Sequence, residues 1–150
     1  MDDVGYQHCI DSVAVHLIEK FDIDVVFGDG EPNAFWNSSG PPAISINTNQ
    51  RRRLQLYCLL HEAGHAIIRS KEDYKDLYPY GKKEKNKSIS RRVDVVREEV
   101  AAWDEGEKLA AHLEIKLDRR LWHNFLKKHL FEYVKWAIDP ERFGRDIGRP

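Results

Sequence analysis

Two histidines, His61 and His65, stand four residues apart with Glu62 beside the first, inside the run Leu54-Gln55-Leu56-Tyr57-Cys58-Leu59-Leu60-His61-Glu62-Ala63-Gly64-His65-Ala66-Ile67-Ile68. The run holds no proline and is dominated by good helix formers, which predicts one helix of about four turns. Residues four apart on a helix lie one above the other, so both imidazoles point at the same spot. Two neutral imidazoles make half of a tetrahedral zinc site. Glu62 projects about 100° round from His61, too far to chelate the same ion but placed to hydrogen-bond a water held on it. Metal-assisted hydrolysis needs that division of labour: an ion to acidify the water and a carboxylate to take its proton. The plainer reading, an amphipathic helix whose wet face carries these groups, sits badly with the apolar flanks. Gly64 adds a second sign, since glycine in a helix interior costs about 1 kcal/mol against alanine. A packing contact too close for a side chain would explain it.

A third protein ligand has to come from another element. Arg91 to Leu117 reads as a helix in which Val95, Val96, Val100, Ala102, Trp103, Gly106, Leu109, Ala110 and Leu113 share one sector of about 180°. Glu99 lies near the middle of that sector and Glu98 at its edge. A carboxylate within an apolar stripe is costly to bury unless it is paired or bound to a metal. Glu99 is therefore the expected third ligand, with Glu98 as the fallback because a modest rotation of the helix exchanges the two. A buried arginine or a backbone donor satisfying Glu99 is the reading without a metal. Asp94 and Asp104, on the more exposed arc, are weaker candidates for partners of the ligating histidines. Cys58 shares a face with His61, but a third ligand from the same helical turn would strain a tetrahedral site, so it reads as core.

The bounds on the whole chain agree with a small enzyme or binding module. One hundred and fifty residues predict a single domain spanning 1–150, with a core over about 5–138 and a tail over 139–150. Composition is ordinary for a globular protein, with 41% hydrophobic and 33% charged residues. Lys+Arg of 24 against Asp+Glu of 25 leaves no global field for nucleic acid or an acidic membrane. No apolar stretch reaches the roughly 18 residues that a membrane span needs, and the acidic start Met1-Asp2-Asp3 is unlike a signal peptide. Two cysteines, Cys9 and Cys58, make no disulfide framework, so the expected location is the cytosol.

The elements that must position the site follow in order. Tyr6 to Lys20 is a helix, with Ile10, Val13, Ala14, Leu17 and Ile18 at helical spacing. Ile23 to Phe27 is a short strand stopped by Gly28-Asp29-Gly30. Ala34-Phe35-Trp36 is a candidate strand, and Ala43-Ile44-Ser45-Ile46-Asn47 alternates as a strand with one buried face. Thr48-Asn49-Gln50 offers N-caps for the helix that carries the histidines. Ser70 to Ser90 turns polar, with Pro79-Tyr80-Gly81 as a turn and Lys82, Lys83, Lys85, Lys87, Arg91 and Arg92 as a basic run. It reads as a solvated loop; as a functional alternative it is a lid or an acidic-partner contact, and Tyr74, Tyr78 or Tyr80 could offer a phenol to an oxyanion. Asp118 to Asp139 is a last helix whose broad face of Leu121, Trp122, Phe125, Leu126, Leu130, Tyr133, Trp136 and Ala137 reads as core packing. His112, His123 and His129 are unassigned, with an oxyanion donor among them as the functional alternative.

Taken together these residues resemble the gluzincin metallopeptidases, in which HExxH is followed by a glutamate on a second helix. Within them, the strand Ala43 to Asn47, the lead-in Arg51-Arg52-Arg53-Leu54 and then Leu60-His61-Glu62-Ala63-Gly64-His65 are similar to the ImmA/IrrE family. Glu98-Glu99-Val100-Ala101-Ala102-Trp103-Asp104 resembles the glutamate-plus-alanine signature of that family and of HtpX-type peptidases, Glu99 standing three residues before Ala102. Trp103 stands where an acidic or amide residue is usual. The resemblance covers roughly residues 5 to 115, most specifically 43 to 65. It implies a minimal zincin-like α+β domain: an active-site helix, a sheet of about three strands whose edge can hold an extended peptide, and two or three further helices. It also implies substrates among regulatory proteins, with any DNA-binding or sensing function supplied by a partner.

The expected function is thus a zinc metallopeptidase acting on peptide bonds of a protein or peptide substrate. His61, His65 and Glu99 bind Zn2+, a water fills the fourth position, and Glu62 is the general base. From another class comes a catalytically weak zincin-fold regulatory module, of a kind that a phage or mobile element could encode. Retention of Glu62 favours the enzyme. Recruitment to DNA through the basic run at 82–92 is a third option, with salt-sensitive DNA binding as its signature.

Overall fold

The computed structural model describes residues 1–36, 40–79 and 88–144. Among them the elements run α1 Asp3–Phe21, β1 Asp24–Gly28, β2 Ala34–Trp36, β3 Ala43–Asn47, α2 Arg52–Arg69, α3 Tyr74–Leu77, α4 Ile89–His112, α5 Arg119–Ile138 and α6 Pro140–Phe143. This is an α+β fold in which a small sheet packs with α2 and three other long helices. No helix of the described residues is long and apolar enough to cross a membrane.

In α1 the spacing of Ile10, Val13 and Leu17 puts all three in the core, while Ile18 stays half exposed. Asp2 caps the helix by accepting from the Gly5 amide, and Asp22 stops it in a left-handed conformation. The chain then enters a mixed sheet of order β1-β3-β2, with β3 parallel to β1 and antiparallel to β2. Being central, β3 buries Ile44, Ser45 and Ile46 together, where simple alternation predicted one wet face. Trp36 and the Pro32 carbonyl account for the Ser45 hydroxyl: the indole donates to it at 2.9 Å, and it donates to the carbonyl at 2.5 Å. Both β1 and β2 are left as edges.

The start of α2 departs from the expected capping. Arg51 occupies the cap position with no side-chain hydrogen bond. Thr48-Asn49-Gln50 is a turn in which Asn47 Oδ1 accepts from the Asn49 amide at 2.8 Å. Gln55, buried in the first turns, reaches back to the Gln50 carbonyl at 2.7 Å. A buried amide from inside the helix thus ties the turn to the helix start by donating to a carbonyl, and the first amides of α2 gain no cap from it.

What fixes α2 on α4 is a reciprocal pair of glycines. A Cβ on Gly64 would overlap the Ala102 carbonyl, and one on Gly106 would lie 2.6 Å from the Leu60 carbonyl oxygen. The helices therefore cross with backbone against backbone at two points on the same seam. That closeness lets side chains only one turn away from Ala102 reach the histidines of α2.

Several boundaries differ from the sequence reading. The fourth long segment stops at His112 instead of Leu117, because Glu114 turns left-handed (φ 57°) and Ile115 folds back into the core. Val100, expected in the apolar sector, is 41% exposed. A short helix, α3, lies within the polar stretch read as loop. The turn at Pro79-Tyr80-Gly81 and the lysines 82, 83, 85 and 87 fall at or beyond the limit of the described residues. Of the basic run, Arg92 is committed to structure, its Nε donating to the Ala137 carbonyl at 2.7 Å. In α5 only Trp122 is fully buried; Leu121, Phe125, Leu126 and Leu130 pack half-buried on the core. Within the expected tail, Pro140 opens α6, and 145–150 lie outside the described residues.

Helix propensity alone makes Gly64→Ala stabilising by about 1 kcal/mol. The α2–α4 seam reverses the sign, and we expect a loss of about 3 kcal/mol, read by urea unfolding, as two backbones are forced apart.

Candidate metal centre

Two helices converge on one point. From α2, His61 and His65 present their rings with centroids 4.7 Å apart. From α4, Glu99 enters between them: Oε2 is 3.3 Å from His61 Nε2 and Oε1 is 3.4 Å from His65 Nε2. One donor atom from each residue lies within 4.8 Å of the other two. The residues are 9%, 7% and 6% exposed, so the carboxylate has lost its water. Glu99 Oε2 nevertheless has no aligned hydrogen-bond partner among the described residues, despite its closeness to His61. A buried, unsatisfied carboxylate oxygen costs several kcal/mol, on the order of what a charge without compensation demands. A cation on this point would satisfy it. Donors about 2.0–2.1 Å from a tetrahedral ion are ~3.4 Å apart, close to the spacing seen here. A buried His-His-Glu group that could bind a metal ion is thus present.

Glu98 has a separate place. It is 1% exposed, more deeply buried than Glu99, although the helical-wheel reading set it at the edge of the stripe. It takes the opposite nitrogen of the same imidazole, with His65 Nδ1 3.1 Å from its Oε1. Arg69 Nε donates to that oxygen at 2.9 Å and the Tyr74 hydroxyl donates to Oε2 at 3.1 Å. Glu98 is therefore held apart from the three-donor cluster and orients His65, the task the sequence assigns to Asp94 and Asp104 as weaker candidates. Those two go elsewhere: Asp94 pairs with Arg97 at 2.8 Å, and Asp104 is exposed. The neighbouring carboxylates, about 100° apart on the helix, thus reach both nitrogens of one ring. Arg69 extends the network further, its guanidinium lying 5.8 Å from the Phe35 ring of edge strand β2.

The electrostatics describe a site that demands a cation. Burial by itself favours neutral imidazole, but hydrogen bonds to Glu98 and Glu99 outweigh it and push the His65 pKa up to about 10. Burial likewise opposes ionisation of Glu99, yet His61 and His65 hold its carboxyl far below the usual range. Burial opposes Glu98 too, and His65 with Arg69 overcome it in the same direction. Without a metal, a proton on His65 plays the cation's part.

His61 differs from its twin. Its Nδ1 is buried with no hydrogen-bond partner among the described residues. Its ring is instead stacked on Trp103, centroids 4.2 Å apart and planes 19° from parallel. The Trp103 indole thus fixes the His61 ring by its face. Glu62 is half-buried beside the cluster, and its charge is felt by both His65 and Tyr133.

The remaining candidates sort by position. Tyr74 is tied to Glu98, and burial followed by that carboxylate raises its pKa to about 12. Tyr78 is buried, with the Arg97 guanidinium 5.6 Å from its ring. Tyr80 lies outside the described residues. Cys58 is core, its thiol pushed up to about 12 by burial. His112 pairs edge-on with His16 at 5.4 Å, and His123 stands 4.0 Å from Glu107. His129 packs on Phe125 at 4.4 Å and on Trp103 at 5.8 Å, near the cluster. Sequence reasoning had filed Tyr133 under core packing. Burial first, and then the Glu99 carboxylate beside it, push its pKa far up. The available signal was its position one turn after His129 on the inward face of α5.

Comparison with protein-family models, with curated proteins and with solved structures gives no match.

Replacing Glu98 with Gln keeps the shape but removes the charge that orients His65. Affinity for a divalent metal ion, measured by chelator competition, is expected to fall about 10- to 100-fold. Ion uptake at pH 7 should also release about one proton, because a metal can take His65 only in its neutral form. Calorimetry in buffers of different ionisation enthalpy reads that proton. The linkage runs one way: affinity rises with pH through about 10 and levels off above it, where His65 has become neutral.

Proposed function

We propose that the chain is a zinc-dependent peptidase in which His61, His65 and Glu99 hold the ion and Glu62 is the general base. The observation that carries this reading is the convergence of three buried donor atoms within 4.8 Å, with Glu62 one residue from a ligand on the same helix. The donor set favours zinc: two imidazoles and one carboxylate suit a borderline ion and leave a fourth position open. When bound, the ion supplies a Lewis acid that polarises a peptide carbonyl and makes a water acidic near neutrality.

The chain's own groups would do the rest. Glu98 accepts the Nδ1–H of His65, leaving Nε2 as the ligand atom, and Trp103 fixes the His61 ring. Glu62 takes a proton from water as the new C–O bond forms at the carbonyl carbon. As the C–N bond breaks, Glu62 returns that proton to the leaving amine nitrogen. The outer edge of β2 is a place for an extended substrate, because Arg69 ties this strand to the His65 end of α2 and its far side pairs with no strand among the described residues. Main-chain pairing there would position a peptide without demanding particular side chains. Two free cysteines, one of them in the core, fit a reducing compartment such as the cytosol.

A metal-dependent regulatory module is the competing reading. The low exposure of all three donors favours it, since a closed site serves structure as well as catalysis. Elemental analysis combined with cleavage of a peptide library separates the two. The expected outcome is one zinc per chain in wild type and in Glu62→Gln, lost in His61→Ala and Glu99→Ala. Cleavage should fall about 10²- to 10⁴-fold in Glu62→Gln. Zinc with the same ligand pattern but no cleavage would establish the module instead.

A further inference from the structure

We infer that the paired indoles Trp103 and Trp122 are an electron donor to the metal centre, giving up one electron through the His61 ring when the centre holds iron(II) and meets a peroxide. The donation needs an ion at His61, His65 and Glu99 but no peptide cleavage, so it stands or falls apart from the peptidase reading.

A continuous path of rings leaves the cluster through the core. The His61 ring, whose Nε2 lies 3.3 Å from the Glu99 carboxylate, is stacked on Trp103 with centroids 4.2 Å apart and planes 19° from parallel. Trp103 meets Trp122 edge-on at 5.0 Å, and Trp122 meets Tyr57 edge-on at 5.2 Å. Both indoles are buried, and Phe125 packs edge-on against Trp103 at 5.7 Å. A metal-ligating ring is thus in face contact with one shielded indole, which in turn touches a second.

Packing alone does not account for indoles at these two positions. Nε1 of Trp103, Nε1 of Trp122 and the hydroxyl of Tyr57 are all buried with no hydrogen-bond partner among the described residues. Each carries a desolvation cost that a phenylalanine would avoid, and polar groups left in that state call for a role other than filling space. Trp36, outside the path, shows the contrast: its N–H donates to the Ser45 hydroxyl at 2.9 Å. What an indole adds over a phenyl ring is the ease with which it loses an electron. An N–H with no acceptor keeps its proton when the electron leaves, so the oxidised pair is a cation, and the buried carboxylate beside His61 favours a positive charge there. Oxidising the Tyr57 phenol requires its proton to leave as well, and with no acceptor against it the electron comes from the indoles.

Two imidazoles and one carboxylate are a donor set for iron(II) as well as for zinc. Reduction of hydrogen peroxide to two waters takes two electrons and two protons. One electron comes from iron(II), which becomes iron(III), and the other from the indole pair; solvent supplies the protons as the O–O bond breaks. Spreading the second oxidising equivalent over two buried rings keeps it off the ligand imidazoles.

The test uses the full chain loaded with iron(II) under anaerobic conditions, mixed with hydrogen peroxide and frozen for electron paramagnetic resonance. We expect a radical assigned to tryptophan by the change in its hyperfine structure when the chain carries ring-deuterated tryptophan. Trp103→Phe, which leaves the metal donors in place, should take up iron and lose the signal; Trp122→Phe should take up iron and weaken it. Peptide mapping should then find more oxidation of His61 in Trp103→Phe than in wild type. Trp36→Phe should change nothing. A wild type that holds iron and gives no tryptophan radical overturns the inference, as does a signal that survives in Trp103→Phe or disappears in Trp36→Phe. Should Trp103→Phe lose its iron, Trp122→Phe decides, and an unweakened signal there overturns the pairing. A wild type that takes up no iron overturns it too, while zinc uptake by the same protein leaves the metal site and the peptidase reading standing.

Discussion

Backbone-to-backbone contact between α2 and α4 is the constraint on which the rest depends. Gly64 against Ala102 and Gly106 against Leu60 bring two helix axes closer than side chains would allow. Only at that separation can a glutamate, whose side chain is short, reach two histidines on the neighbouring helix. The contacts lie on both sides of the crossing, so the helices can neither slide nor rotate without collision. Sheet, α1 and α5 then pack around a pair whose geometry is already set.

Within that frame two successive carboxylates divide one task. Glu99 faces the side of His65 on which His61 also lies, and Glu98 faces the opposite nitrogen. Both are buried, and each is stabilised as an anion by groups that themselves have few alternatives. Arg69 and Tyr74 complete Glu98; for Glu99 the imidazoles alone leave one oxygen unmatched. The imbalance leaves room that a cation could fill, beside an otherwise complete buried ion-pair network. Because Arg69 also covers Phe35, the same network tethers the sheet's edge to the histidine helix.

Much of this was legible in the chain because it is local. The spacing of His61, His65 and Gly64 predicts a helix, a shared direction and a close contact, all of which depend on fewer than two turns. The β-branched run at 23–27 and the alternating stretch at 43–47 likewise announce strands, the first of them observed one residue later, at 24–28. Glu99 was legible by a longer argument, a carboxylate in the middle of an apolar sector. What escaped depends on contacts between distant segments. The depth of Glu98 follows from Arg69 and Tyr74, which no period links to it. The link from the Gln55 amide to the Gln50 carbonyl requires the turn at 47–50 to fold back on the helix, and the early end of α4 follows from the burial of Ile115.

The half-buried packing of α5 bears on how anything enters the site. Donors that are more than nine-tenths covered cannot meet a substrate unless some part of the covering moves, and the parts differ in how firmly they are held. The glycine seam holds α2 and α4 backbone against backbone. In α5 just one residue, Trp122, is fully buried, and it lies near the start of the helix, while the C-terminal half rests on partly exposed side chains and the Arg92 contact. That half is the least firmly packed part of the covering, so the way to the three donors is governed by the packing of α5 and not by the α2–α4 seam.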